Sequence, residues 1–120
     1  MSETSNPKYD LEERTYQFAK RVAIFCKKLP RTISNIEQVK QLIRSSGSVG
    51  ANYIEANEAF SKKDFKMRIK ICRKEAKESA YWLRLIIETN NKKYEKEGKE
   101  LRKEAIELKK IFSSIIEKTK

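Results

Sequence analysis

Between Leu11 and Leu29, the residues Leu11, Thr15, Phe18, Val22, Phe25 and Leu29 recur at spacings of four and three. That spacing places all six on one stripe of an α-helix, and on both faces of a β-strand. The same pattern returns three more times along the chain. Only three glycines and two prolines interrupt 120 residues, too few turn formers for a protein of many short strands. The chain is long enough for one modest core, so a single domain is expected.

Four amphipathic helices follow from this periodicity, over about residues 11–29, 34–59, 62–88 and 93–118, after a flexible N-terminus at residues 1–10. Asp10 can cap the first, with Glu13 completing a capping box, and Pro30 ends it. Ser34 and Glu37 repeat the box for the second, whose apolar line is Leu42, Val49, Tyr53, Ala56 and Phe60. A second line, Ile36, Ile43, Gly50 and Ile54, runs beside it. Ser61 is the N-cap expected for the third, with core stripe Phe65, Ile69, Cys72, Ala76, Leu83 and Ile87. Leu101, Ala105, Leu108, Phe112 and Ile115 face inward from the fourth, and Gly98 weakens its start. Short connections between such helices predict an all-α, up-down-up-down antiparallel four-helix bundle.

Helix two raises the sharpest question, in the stretch "RSSGSVGANYIEANEAFSKKDF". Glycine costs a helix about 1 kcal/mol relative to alanine, yet Gly47 and Gly50 both lie within it. Close approach of a neighbouring backbone, or a kink, accounts for them. Arg44, Asn52, Glu55 and Glu78 are candidates for a polar network anchoring helices two and three, at some cost in stability.

Helix three carries two further stripes. Arg68, Ile71, Glu75, Glu78 and Trp82 recur at three-four spacing beside the core stripe. That resembles a second helix–helix seam and is the candidate interface for a homo-oligomer or another protein. Lys63, Lys66, Lys70, Arg73, Lys74, Lys77 and Arg84 form a basic arc on the opposite flank. Residues 61–88 hold nine basic and four acidic residues, within a chain of net charge +11. Arg14, Arg21 and Lys28 add a heptad-spaced basic row on helix one. Such charges suit the phosphates of RNA or DNA, contacted without base readout. A solvated helix face explains them equally, and the sequence leaves both readings open.

Other classes of function find little support. There is no histidine, and the two cysteines, Cys26 and Cys72, lie on apolar helix faces as small hydrophobes. No metal site, cofactor or small-molecule substrate is expected, because zinc sites and di-metal bundles draw on more cysteine or histidine than this. The ingredients of an activated nucleophile are missing, so an enzyme is not expected. No apolar run approaches the ~20 residues of a membrane span. A cytoplasmic location is expected from the polar N-terminus.

The stretch from Arg44 to Phe65, followed by "RIKICRKEAKESAYWLRLI", resembles the four-helix-bundle proteins encoded within intervening sequences of bacterial 23S rRNA genes. Arg44-Ser45, Ala51-Asn52 through Glu55, Ser61 through Phe65, and Glu78 carry the likeness. Gly50, Ala56 and Glu75 depart from the commoner pattern, which has proline, glycine and serine there. The resemblance implies a small cytoplasmic protein without known catalysis. It also implies similarity to the accessory protein of diversity-generating retroelements, and hence a basic homopentamer that works with nucleic acid.

Overall fold

The computed structural model describes residues 7–119, with side chains from Leu11 onward. Of the flexible N-terminus expected at residues 1–10, residues 7–10 are helical, so Asp10 lies inside α1 and is not its N-cap, and residues 1–6 lie outside what it describes. Four helices follow one another: α1 (Pro7–Lys28), α2 (Ile33–Asn57), α3 (Lys62–Thr89) and α4 (Glu95–Lys118). A single 3-10 turn at Lys92–Tyr94 leads into α4. Helix α1 starts at Pro7, four residues earlier than the apolar stripe alone indicates. Proline is favoured in a first turn, where its missing N–H has no helical partner to lose.

Caps explain the other boundaries. Thr32, two residues ahead of the expected Ser34, accepts a hydrogen bond from the Asn35 amide at 3.1 Å. Ser61 caps α3 as expected, accepting from the Asp64 amide at 3.0 Å. Helix α2 stops at Asn57, with Glu58 as its C-cap. Phe60 therefore falls beyond the helix and is fully exposed, whereas the periodicity places it in the core.

Antiparallel neighbours surround one core. Asn35 meets Asn90 and Ser45 meets Ser79 between α2 and α3, while Arg14 and Lys28 of α1 meet Glu104 and Glu97 of α4. These pairs run in opposite chain directions, as an up-down-up-down bundle requires. The interior holds Phe18, Val22 and Phe25 from α1, Leu42 and Val49 from α2, Ile69, Leu83 and Ile86 from α3, and Leu101, Leu108 and Phe112 from α4. Fully burying side chains of this size contributes roughly 1.5–3 kcal/mol each.

The glycines divide differently from expectation. A Cβ on Gly98 would lie 2.6 Å from Ile87 Cγ1, so α3 and α4 cross there only because the side chain is missing. On Gly50 it would meet Thr15 Oγ1 at 3.0 Å, which fits close contact between α1 and α2. Gly47 has nothing within 4 Å of such an atom, so no neighbour within the protomer explains it.

Candidate nucleic-acid interface and its polar flank

Helix α3 contacts α2 with one edge of its buried face and α4 with the other. A residue turns about 100° around the helix, so its two outer flanks have different neighbours. Arg68, Ile71, Glu75, Glu78 and Trp82 fall on the α2 side. Lys63, Lys66, Lys70, Arg73, Lys74, Lys77 and Arg84 fall on the α4 side and outward.

The α2 side is a polar clamp. Arg44 Nη1 donates to Glu75 Oε1 at 3.2 Å and Nη2 to Glu78 Oε1 at 2.6 Å. Glu75 is only 6% exposed, so it is consumed inside the protomer and cannot present a carboxylate to a second copy. The reason is Arg44, whose charge makes that burial tolerable. Partial desolvation pulls the Glu78 pKa up, but the Arg44 hydrogen bond and charge outweigh it. Net, Glu78 titrates below the usual 4.5. Beneath the clamp, Ser45 and Ser79 share a buried hydrogen bond at 2.8 Å, and Ser79 Oγ also lies 2.9 Å from the Glu75 carbonyl.

Asn52 belongs to a second, separate link. It accepts from Arg68 Nη1 at 3.0 Å and donates to the Ser48 carbonyl and hydroxyl at 2.9 Å. Glu55 stands outside both links. It is exposed and lines a recess with Arg68, Asp64 and Met67, because it stands three turns, about 16 Å, along α2 from Arg44. The expected four-residue network is thus two links, which Ser48 and Glu75 join from the same flanks, with Ser45 and Ser79 as members that spacing did not indicate.

Ile71 and Trp82 are half-buried, and Trp82 packs against the core. Its indole Nε1 is closed to solvent and meets no acceptor at hydrogen-bonding distance among the described residues, although it lies near enough to Glu78 to favour the ionised carboxylate. Tyr81, exposed, stacks edge-on against it with ring centroids 4.9 Å apart.

The basic flank is free of such pairing. Lys63, Lys70, Lys74, Lys77 and Arg84 are exposed, while Lys66 and Arg73 are half-buried. Arg84 pairs with Glu88 of its own helix at 3.1 Å. The other six make no ion pair among the described residues. Helix one behaves differently. Arg14 is held by Glu104 through two hydrogen bonds of 2.7 and 2.9 Å, and Lys28 by Glu97 at 2.9 Å. The Glu104 hydrogen bond leads in raising the Arg14 pKa, burial opposes it, and the charges of Glu104 and Glu107 add to it. Two members of the basic row on α1 are therefore neutralised by α4.

Cys26 and Cys72 are both free and buried, and burial pushes each thiol up to about 12. Among the described residues no three metal-ligating side chains converge, and no helix is long and apolar enough to cross a membrane.

Comparison with known proteins agrees with this architecture. A crystal structure of a protein of unknown function from the S23 ribosomal protein family of Bacteroides thetaiotaomicron VPI-5482 superposes with a TM-score of 0.78. The two sequences are 33% identical, over 88% of this chain and 96% of that one. No curated protein matches the sequence. The sequence profile of the 23S rRNA-intervening sequence proteins matches residues 8–114, which includes all but the ends of the four helices. The chain belongs to the family of 23S rRNA-intervening sequence proteins.

Proposed function

We propose that this protein is a non-enzymatic nucleic-acid-binding bundle that holds RNA or DNA by its phosphates along the outer flank of α3. The supporting observation is a contiguous run of uncompensated cations along one flank. Lys63, Lys66, Lys70, Arg73, Lys74 and Lys77 share a flank without an ion pair among the described residues, whereas Arg14, Lys28, Arg44 and Arg68 are each held by a partner on another helix. Cations that stabilise the bundle are paired, and these six are not. Side chains of this kind neutralise phosphates and release counterions, which makes affinity fall steeply with salt.

The test is the triple variant Lys66→Glu, Lys70→Glu and Arg73→Glu, assayed by fluorescence anisotropy on a labelled oligonucleotide. Loss of at least about tenfold in affinity, with a shallower salt dependence, is expected. Unchanged affinity and slope would contradict the proposal.

A second reading concerns Trp82. Its half-exposed ring, unpaired indole N–H and exposed neighbour Tyr81 favour docking of another protein surface, either an adaptor partner or a second copy. The resemblance to the retroelement accessory protein supports a ring of copies. Light scattering of wild type and Trp82→Ala tests it, since a monomer at every concentration excludes self-association.

A further inference from the structure

The carboxylates of α3 and α4 are sorted by direction. Between Lys66 and Arg84, α3 holds Glu75 and Glu78, and both turn to Arg44 of α2. Over residues 102–113, α4 holds Glu104 and Glu107. Glu104 binds Arg14 of α1, and Glu107 lies close enough to add its field there. The cations of the same spans divide: Arg68 bonds Asn52 on the α2 side and Lys110 pairs with Glu107, whereas Arg102 and Lys109 turn away from Glu104. Arg102 lies about 160° around α4 from Glu104, and Lys109 lies within about 20° of Arg102. Since Glu104 faces α1, Arg102 and Lys109 line the edge nearest α3. That edge continues from Gly98, which touches Ile87 of α3. By this rotation they face the α3 flank that carries Arg73, Lys77 and Arg84, while Glu75, Glu78 and Glu104 turn to cations elsewhere.

Arg102 adds a second observation. Its Nε is closed to solvent and meets no hydrogen-bond acceptor among the described residues. That atom is closed to a phosphate as it is to water, so a phosphate meets the terminal Nη groups of the same guanidinium, which no carboxylate among the described residues holds. Lys109, half-buried like Arg102, also makes no ion pair among the described residues.

We infer that Arg102 and Lys109 of α4 complete the α3 flank into a two-row cationic channel that binds the backbone of double-stranded nucleic acid. The inference rests on the phosphate-binding reading above and names its substrate class. From Lys63 to Lys77 the α3 row extends about 21 Å at 1.5 Å per residue. A duplex supplies about one negative charge per 1.7 Å of axis, so a rigid site of this length faces a dense row of phosphates. Recognition of single strands relies instead on aromatic platforms for the bases. The channel has none at its centre. Tyr81 lies at its border with its ring against Trp82, and Tyr94 sits half-buried at the far end, its hydroxyl 3.2 Å from the Lys28 carbonyl.

The experiment compares a labelled 20-base-pair duplex with a single strand of the same length, across salt concentrations, for three proteins. Wild type is expected to prefer the duplex by at least about tenfold. R102Q/K109Q is expected to weaken duplex binding and to reduce the slope of log K against log salt by about 1.8, because two phosphates are no longer neutralised. The triple variant K66E/K70E/R73E is expected to lose binding. If R102Q/K109Q binds like wild type while the triple variant does not, the α4 row is refuted and the α3 reading stands. If the single strand binds as tightly as the duplex, the substrate class is refuted. If all three proteins bind alike, the α3 reading falls as well. Circular dichroism checks the helices of each variant. K109Q alone, with an expected slope change of about 0.9, replaces the double variant if that one unfolds.

Discussion

Asn35 and Asn90 each donate an amide hydrogen bond to the other's side-chain oxygen, at 2.8 and 2.9 Å, across the facing ends of α2 and α3. Each also reaches back to its own approach segment, Asn35 to the Pro30 carbonyl and Asn90 to that of Ile86. Four hydrogen bonds thus fasten the entry of α2 to the exit of α3. Asn35→Ala and Asn90→Ala should each cost about 1–3 kcal/mol, because the surviving amide is left short of a partner in a partly buried site. Urea unfolding of the two single variants and the double variant measures it. The losses should be strongly non-additive.

Gly98 and Gly47 should respond to alanine in opposite directions. At Gly98 the new methyl meets Ile87 at 2.6 Å, and overpacking of this kind costs roughly 1–3 kcal/mol. At Gly47 the methyl meets nothing within 4 Å and removes a glycine from a helix interior, a gain of about 0.5–1 kcal/mol. Urea midpoints of G98A and G47A, compared with wild type, check the pair of signs.

The Arg44–Glu78 contact makes stability depend on pH in a defined direction. Glu78 titrates below 4.5 when folded, so the unfolded chain takes up its proton first as pH falls. The stabilisation is complete above 4.5 and is lost as pH drops through the lower folded value. E78Q should therefore be less stable than wild type at pH 7, with a smaller difference at pH 3. Equal stability at both pH values would count against the contact.

The two thiols should be silent in the folded protein. With both pKa values pushed up to about 12 and both side chains buried, the reactive thiolate is scarce and shielded at pH 8. A chromogenic disulfide reagent should react slowly with native protein and rapidly with two thiols in denaturant. One rapid equivalent under native conditions would show that Cys26 or Cys72 is open to solvent.

Local periodicity carried the architecture because each helix writes its own stripe. Leu11, Thr15, Phe18, Val22, Phe25 and Leu29 are all buried, as are Leu42, Val49, Tyr53 and Ala56. It failed where a stripe outran its helix, as at Phe60, since a C-cap rather than hydrophobicity ends α2. It failed again where the deciding partner lies far along the chain. Glu75 reads as one charge on an exposed flank until Arg44, 31 residues earlier, is placed beside it. Asn35 and Asn90 are 55 residues apart, and no local spacing pairs them. The close approach at Gly98 was hidden for the same reason, because only the crossing with α3 shows what a methyl would strike. The basic flank of α3 was legible from one helix alone. Its proposed continuation onto α4 was not, because it depends on how two helices are rotated against each other.

Lysine acetylation footprinting tests the proposed phosphate-binding face most directly, with the modification of each lysine read by mass spectrometry in the absence and presence of a duplex. Protection is expected at Lys63, Lys66, Lys70, Lys74, Lys77 and Lys109, while Lys20, Lys27 and Lys40 on α1 and α2 keep their reactivity. Protection confined to α1 and α2, or none on α3 at saturating duplex, would contradict the account.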